Sequence, residues 1–360
     1  MAKNADLINA KYARKDEFYT QLEDINAEMV HYEKQFKGKI VLMNCDDPTW
    51  SNFWRYFHIE FERLGLKKII ATHYEYGEVA SYKMEYIGGN DEDFEVGVKT
   101  DLTQNGDFRS PECIELLKEA DIVVTNPPFS LFREYIALLM KYDKKFIIIG
   151  NVNGASYKEV FPLVKNNEIW FGASIHSGDR KFYVPDDYPL NASGCGIDNN
   201  GRRFIRVKGV RWFTNIDYSV RHKSLETPYL YAKKDKLYPE LYHKFDNYDA
   251  INVDKTSEIP MDYDGIMGVP ITYLDKHNPD QFEIIGYSEA GNDLCLKFYK
   301  DMHLCQPANG GDKPNSKSAR YSPMLPFEPT ATDNYYTASN ADCKMKKVYT
   351  RIFIKRKAGK

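Results

Sequence analysis

Residues 121–130 read DIVVTNPPFS, and how that stretch is read decides the fold. Ile122 to Val124 form an apolar run short enough for a buried strand. Asn126, Pro127, Pro128 and Phe129 follow at its carboxyl end, where open parallel sheets hold their ligands. An exocyclic aromatic amine is a poor nucleophile because its lone pair is delocalised into the ring, so a protein that alkylates it must supply acceptors for both N–H bonds. The Asn126 side-chain oxygen and the Pro127 carbonyl are two such acceptors. The paired prolines fix φ and stiffen the turn, and the Phe129 ring offers a face for stacking a base. The competing reading is a plain proline-rich turn, which the preceding apolar strand disfavours.

Working outward, the pattern repeats. KIVLMNC (39–45) reads as the first strand, followed by the acidic turn Asp46-Asp47-Pro48 and a helix with Phe53, Phe57 and Phe61 at four-residue spacing. KIIAT (68–72) reads as the second strand. After it, Glu75 occupies the place where a carboxylate commonly binds ribose hydroxyls. Residues 88–100 read as a loop or hairpin insertion, and Ser110-Pro111-Glu112 opens a helix with proline at its first position. SLFREYIALLMKY is an amphipathic helix, KKFIIIGN (144–151) a buried strand, SYKEVFPLVKNN a helix and EIWFG (168–172) a strand. Such alternation predicts an α/β fold with a doubly wound parallel sheet. Residues 173–209 predict a β-hairpin over the catalytic face, and VRWFTNI (210–216) the last sheet strand.

From Asp217 the alternation stops, and a smaller mixed and β domain is expected, with strands around GVPITYL, QFEIIGY and KKVYTRIFIKRK. The expected division is 1–216 and 217–360. Upstream, Thr20 is placed as a helix N-cap with Glu23 as its capping-box partner, which leaves Phe18 and Tyr19 unexplained.

Composition narrows the function classes. The chain has 360 residues, 42% of them hydrophobic and 28% charged, as in globular proteins with a sizeable core. No apolar run approaches the roughly 20 residues that span a bilayer, and the amino terminus is not a signal peptide, so a cytoplasmic protein is expected. Six cysteines without C-x-x-C spacing and eight histidines without ligand spacing indicate neither a zinc site nor a disulfide frame. The net charge of −3 excludes a uniformly basic coat but leaves two local basic strips. One runs from Arg202 to Lys223, with Arg202, Arg203, Arg206, Lys208, Arg211, Arg221 and Lys223 against only Asp217, and the other runs from Lys344 to Lys360 with eight cations and no acid. Each is either a nucleic-acid contact or a solvated face. The loop QPANGGDKPNSKSAR (306–320) is either a surface connection or a segment ordered by nucleic acid.

The Asn-Pro-Pro-Phe tetrapeptide resembles motif IV of S-adenosylmethionine-dependent amino-methyltransferases, a group whose members act on adenine N6 or on glutamine amides. KDEFYTQ (15–21), NCDDP (44–48), GDFRSPECIELLKEADIVVTNPPFSLFREYI (106–136), KKFIIIGN and DGIMGVPITYLDK (264–276) follow one order along the chain. That order resembles the EcoRI-type N6-adenine DNA methyltransferases. The turn after the first strand lacks the Gly-x-Gly of a standard cofactor motif, a departure those enzymes share. The resemblance implies a Rossmann-like methyltransferase sheet and transfer of a methyl group from S-adenosyl-L-methionine to N6 of a flipped adenine in duplex DNA.

It also implies site residues. Asn126, Pro127, Pro128 and Phe129 would be catalytic. Phe18, Tyr19, Thr20, Asn44, Asp46, Asp47, Glu75, Asp107, Phe108 and Asn126 would face the cofactor. Residues 217–360 would recognise the target. A sulfonium methyl needs no metal, and a monomer working apart from any companion restriction endonuclease is expected. The alternatives are a methyltransferase for RNA or protein glutamine, or a non-catalytic DNA-binding protein.

Overall fold

The structure is a computed structural model describing residues 18–45, 47–75, 80–184, 186, 188–191, 194–288, 294–309, 311–314 and 320–358. The chain divides into two compact units, Met1–Val220 and Arg221–Lys360. The expected boundary lay at 216/217.

In the first unit the strands are β1 (Ile40–Met43), β2 (Lys68–Thr72), β3 (Tyr82–Tyr86), β4 (Val98–Asp101), β5 (Ile122–Thr125), β6 (Lys145–Asn151), β7 (Trp170–Phe171), β8 (Asp179–Tyr183), β9 (Gly196–Ile197), β10 (Arg203–Lys208) and β11 (Val210–Thr214). Four of them, β2-β1-β5-β6, are parallel neighbours, and each is an almost unbroken apolar run because helices cover both faces of such strands. Asp121 sets the register at the start of β5. Its Oδ2 accepts from the Ile40 N–H at 2.9 Å while its own N–H donates to the Ile40 carbonyl at 3.0 Å.

The sheet as a whole corrects the expectation of a parallel one. It has eight strands in the order β4-β3-β2-β1-β5-β6-β11-β7 and is mixed. Residues 82–101 add the antiparallel hairpin β3–β4 at one edge, and β11 inserts antiparallel between β6 and β7 at the other. Hydrophobic runs mark a buried strand but carry no direction, so the alternation alone could not show this.

The helices start where side chains cap them. In α2 (Asn52–Ile59) the Ser51 hydroxyl accepts from the Phe53 and Trp54 N–H groups, and in α3 (Pro111–Glu119) Ser110 accepts from Cys113 N at 3.2 Å. Phe53, Trp54 and Phe57 of α2 are fully buried, each stabilising the fold by about 1.5–3 kcal/mol. Truncating Phe57 to alanine would cost about 3–5 kcal/mol. The helix α1 (Leu22–Met29) has Gln21, not Thr20, at its N-cap, with no side-chain cap bond, because Thr20 is drawn into the core at 2% exposure. The helix α4 (Phe132–Lys141) follows the Asn126 turn. The strands β8, β10 and β9 form a separate antiparallel sheet.

The second unit is built on two sheets. One is ordered β12 (Ile251–Asn252), β13 (Met267–Pro270), β20 (Arg351–Arg356), β14 (Phe282–Tyr287). The other is ordered β16 (Gly311–Pro314), β15 (His303–Gln306), β18 (Tyr335–Thr337), β19 (Met345–Lys347), β17 (Met324–Pro326). Its buried polar groups hold irregular backbone. Asn247 donates to the Ser322 carbonyl and accepts from the Met324 N–H, both at 3.0 Å. Arg351 of the basic tail turns inward and bonds Asn252 and Asp254, and Arg356 donates to the Pro260 carbonyl. No helix among the described residues is long and apolar enough to cross a membrane.

Candidate active site

Strand β5 is buried along its whole length and delivers Asn126 to its carboxyl end at 7% exposure, with Pro127 buried and Pro128 and Phe129 half-buried. The Leu131 N–H bonds the Pro128 carbonyl at 2.9 Å, closing a single 3₁₀ turn over Phe129–Leu131 that feeds α4. The Asn126 Nδ2 donates to the Phe18 carbonyl at 2.7 Å, a bond between residues 108 apart in sequence. The Phe18 ring, itself buried, meets Phe129 edge-on at 5.8 Å and packs on Phe182 at 6.0 Å and Tyr188 at 6.1 Å. Tyr19 makes a two-bond bridge to Tyr183 at 2.9 and 3.1 Å, and the Thr20 carbonyl accepts from Asn52 Nδ2 at 2.6 Å. Thus 18–20 and 126–129 are brought together. Lys15, Asp16 and Glu17 lie outside the described residues.

At the end of β1, Asn44 is 2% exposed and its Oδ1 accepts from the Tyr135 hydroxyl of α4. Tyr135 in turn meets the buried Phe108 ring edge-on at 5.0 Å. Asp46 lies outside the described residues. Asp47 Oδ1 accepts from the Thr49 N–H at 2.9 Å, the Thr49 hydroxyl at 2.7 Å and the Tyr82 hydroxyl at 2.9 Å, while its Oδ2 lies 3.2 Å from His73 Nδ1. Burial first, then the Asp47 carboxylate, push the Tyr82 phenol well above its ordinary range. His73 Nε2 reaches Glu75 at 3.2 Å, which joins Asp47 and Glu75 through one imidazole.

Gly106 explains how the loop after β4 reaches this cluster. It has φ +79°, and a Cβ built there would stand 1.9 Å from the His73 carbonyl oxygen, so only glycine lets the two chains touch. One residue on, Asp107 is gripped by Arg109, Nε to Oδ1 at 2.9 Å and Nη2 to Oδ2 at 2.7 Å. Burial raises the Asp107 carboxyl, but the Arg109 bonds together outweigh it and hold the group below its usual range.

Among the buried polar atoms of this region that have no hydrogen-bond partner among the described residues are Asn44 Nδ2 and Thr20 Oγ1. Leaving such an atom unsatisfied costs about 1–3 kcal/mol, so each fits a polar ligand rather than a closed core. The sequence reading missed Asn52, Tyr82, Arg109 and Tyr135. Asn52, Tyr82 and Tyr135 hold residues 32, 35 and 91 positions away and nothing local in their segments signals the partner, whereas Arg109 lies two residues from the Asp107 it grips.

In the basic strip, Arg202, Arg206 and Lys208 are exposed, and Arg203 is half-buried with Nη2 donating to the Tyr188 carbonyl at 2.8 Å. Arg211 is a correction. It is 3% exposed and donates to the Val210 and His176 carbonyls, because β11 is covered on both faces.

The sequence matches the family described as adenine-specific methyltransferase EcoRI over residues 6–357. The chain belongs to that family. Among relatives of the EcoRI methylase family, it is 48% identical to the Type II methyltransferase M.EcoRI of Escherichia coli, covering 81% of this chain and 92% of that protein. It is 41% identical to the Type II methyltransferase M.MpnI of Mycoplasma pneumoniae, over 77% of this chain and 83% of that one. It is 40% identical to M.MgeORF184P of Mycoplasma genitalium, over 77% and 84%. No solved structure matches this chain.

Proposed function

We propose that this chain transfers a methyl group from S-adenosyl-L-methionine to N6 of an adenine turned out of duplex DNA. The observation that carries the reading is the bond from Asn126 Nδ2 to the Phe18 carbonyl. With Nδ2 committed there, the amide's orientation is set and Oδ1 is the end that accepts. Oδ1 and the Pro127 carbonyl take the two amine protons, drawing charge onto the nitrogen as it turns pyramidal, and the stiff Pro127-Pro128 turn holds the pair in place beforehand. Phe129 offers its ring to the base.

The bound cofactor supplies an electrophilic methyl carbon. We read the mixed sheet as Rossmann-like, with the cofactor across the ends of β1 and β2. Thr20 and Asn44 offer it polar atoms that have no hydrogen-bond partner among the described residues, Asp47 and Glu75 an acidic edge stiffened by His73 and Tyr82, and Phe108 an apolar wall with Asp107 beside it. Phe18 and Tyr19 close the methionine side. Residues 217–360 are assigned to target recognition, with Arg202, Arg203, Arg206 and Lys208 contacting DNA. The enzyme works as a monomer, separately from any companion endonuclease.

Labelled-methyl transfer to DNA, RNA and protein in parallel, with mapping of the product, tests this. Label on adenine N6 of DNA is expected. Label in RNA or on glutamine, or in none of the three, would overturn it.

A further inference from the structure

The antiparallel sheet β8-β10-β9 has two unlike faces. Phe182, Ile205 and Val207 point into the core, while the cross-strand pairs Tyr183–Phe204, Lys181–Arg206 and Asp179–Lys208 share the other face. On that face the cations lie over rings. The Arg202 guanidinium is 4.0 Å and Lys181 Nζ 4.8 Å from the Tyr183 centroid, and Lys181 Nζ is 4.4 Å and the Arg206 guanidinium 6.0 Å from the Phe204 centroid. Asp198 is spent on the loop: it accepts from the Arg202 and Asn200 N–H groups and the Tyr183 hydroxyl, each at 2.9 Å. It also pairs with Arg202 at 3.2 Å and lies 3.7 Å from Lys181. Among the described residues Arg206 and Lys208 have no ion pair.

The location matters as much as the charge. Tyr183 is the residue bridged to Tyr19, next to the Phe18 carbonyl that holds Asn126. The face therefore adjoins the catalytic turn within the first unit.

The geometry points to this face as a sequence-blind phosphate grip, in which Lys181, Arg202, Arg206 and Lys208 seat the sugar-phosphate backbone beside the site. The rings are already covered by cations, so they serve less to stack bases than to pre-order long side chains that would otherwise lose rotamer freedom on binding. Arg206 and Lys208 are two residues apart on one strand and stand about 7 Å from each other, a row rather than a point. The row carries no hydrogen-bonding code for bases, only charge. This inference rests on DNA being the substrate, and adds Lys181, Tyr183 and Phe204 to the DNA-facing surface together with the claim that they do not read sequence.

The test is a salt titration of binding by the full chain to a duplex it methylates and to an unrelated duplex. Lys181→Gln, Arg206→Gln and Lys208→Gln together should weaken both by the same factor. They should lower the slope of log affinity against log salt by about 0.9 for each phosphate no longer neutralised, leaving S-adenosylmethionine affinity and thermal unfolding unchanged. Tyr183→Leu with Phe204→Leu keeps the charge and should weaken both duplexes several-fold at nearly unchanged slope. An unaltered slope in the triple variant, or a loss confined to the methylated duplex, overturns the grip while leaving the methyltransferase reading intact. A wild-type chain that labels no DNA removes both.

Discussion

Buried asparagines occur in both units, and they are used differently. In the second unit Asn247 is bonded at both ends to backbone, and Asn252 accepts from Arg351 and donates to Asp254. In the first, Asn44 accepts from Tyr135 but its Nδ2 has no hydrogen-bond partner among the described residues, and Asn126 donates to Phe18, with its oxygen the one we propose accepts from the reacting amine. A buried amide saturated by protein is a fastener. A buried amide with an atom to spare, as at Asn44, carries a cost that a polar ligand would relieve, and we propose that the cofactor is that ligand.

That contrast can be broken by substitution. Asn126→Ala should lower the rate of methyl transfer at saturating cofactor by at least about 100-fold, the scale of losing one preorganised group around a reacting centre. A variant keeping most of its activity would falsify the role given to the amide. Asn247→Ala should do the opposite. It strands the Ser322 carbonyl and the Met324 N–H and should destabilise the second unit by about 2–3 kcal/mol in chemical denaturation, with the cofactor dissociation constant unmoved.

His277 sharpens the second half of the comparison. Its Nδ1 lies 3.0 Å from the Tyr273 hydroxyl, and burial first, then the charges of Arg221 and Lys357, lower its pKa from 6.5 to about 3. A histidine kept neutral when folded contributes stability that is complete above its unfolded pKa of 6.5. Below that pH the unfolded chain takes up a proton that the folded one refuses. Stability should therefore fall as the pH drops from 6.5 toward 3, by about 1.4 kcal/mol per pH unit. Denaturation of wild type and His277→Gln across that window checks it, and parallel curves would dismiss the histidine as the cause. The smallest effect expected is that of Asn44→Ala, a roughly fivefold weaker S-adenosylmethionine affinity, about 1 kcal/mol. Calorimetry showing no change would make Asn44 a fastener too.

What could be read without coordinates was local. The strand at Ile122–Thr125 announces itself as an apolar run, its stop is two prolines, and the start of α3 is Ser-Pro-Glu. What escaped was long-range. Asn52 holds Thr20 across 32 residues and Phe18 holds Asn126 across 108, and neither partner carries a sign of the other. Arg211 shows a different failure. Counting cations in a run treats them as equals, whereas strand position decides: β10 alternates and turns Arg206 and Lys208 outward, but β11 is enclosed on both faces. The antiparallel setting of β11 escaped for a related reason, since burial leaves the same apolar signature in either direction.

The Tyr19–Tyr183 bridge has a consequence for how the molecule is made. The parallel strands β1, β2, β5 and β6 can pair once residue 151 has left the ribosome, yet the carbonyl that anchors the Asn126 amide waits for a strand that ends at Tyr183. In amino-to-carboxyl order the sheet scaffold therefore precedes the strap, and a nascent chain short of that tyrosine lacks the bridge that seats the segment bonded to Asn126.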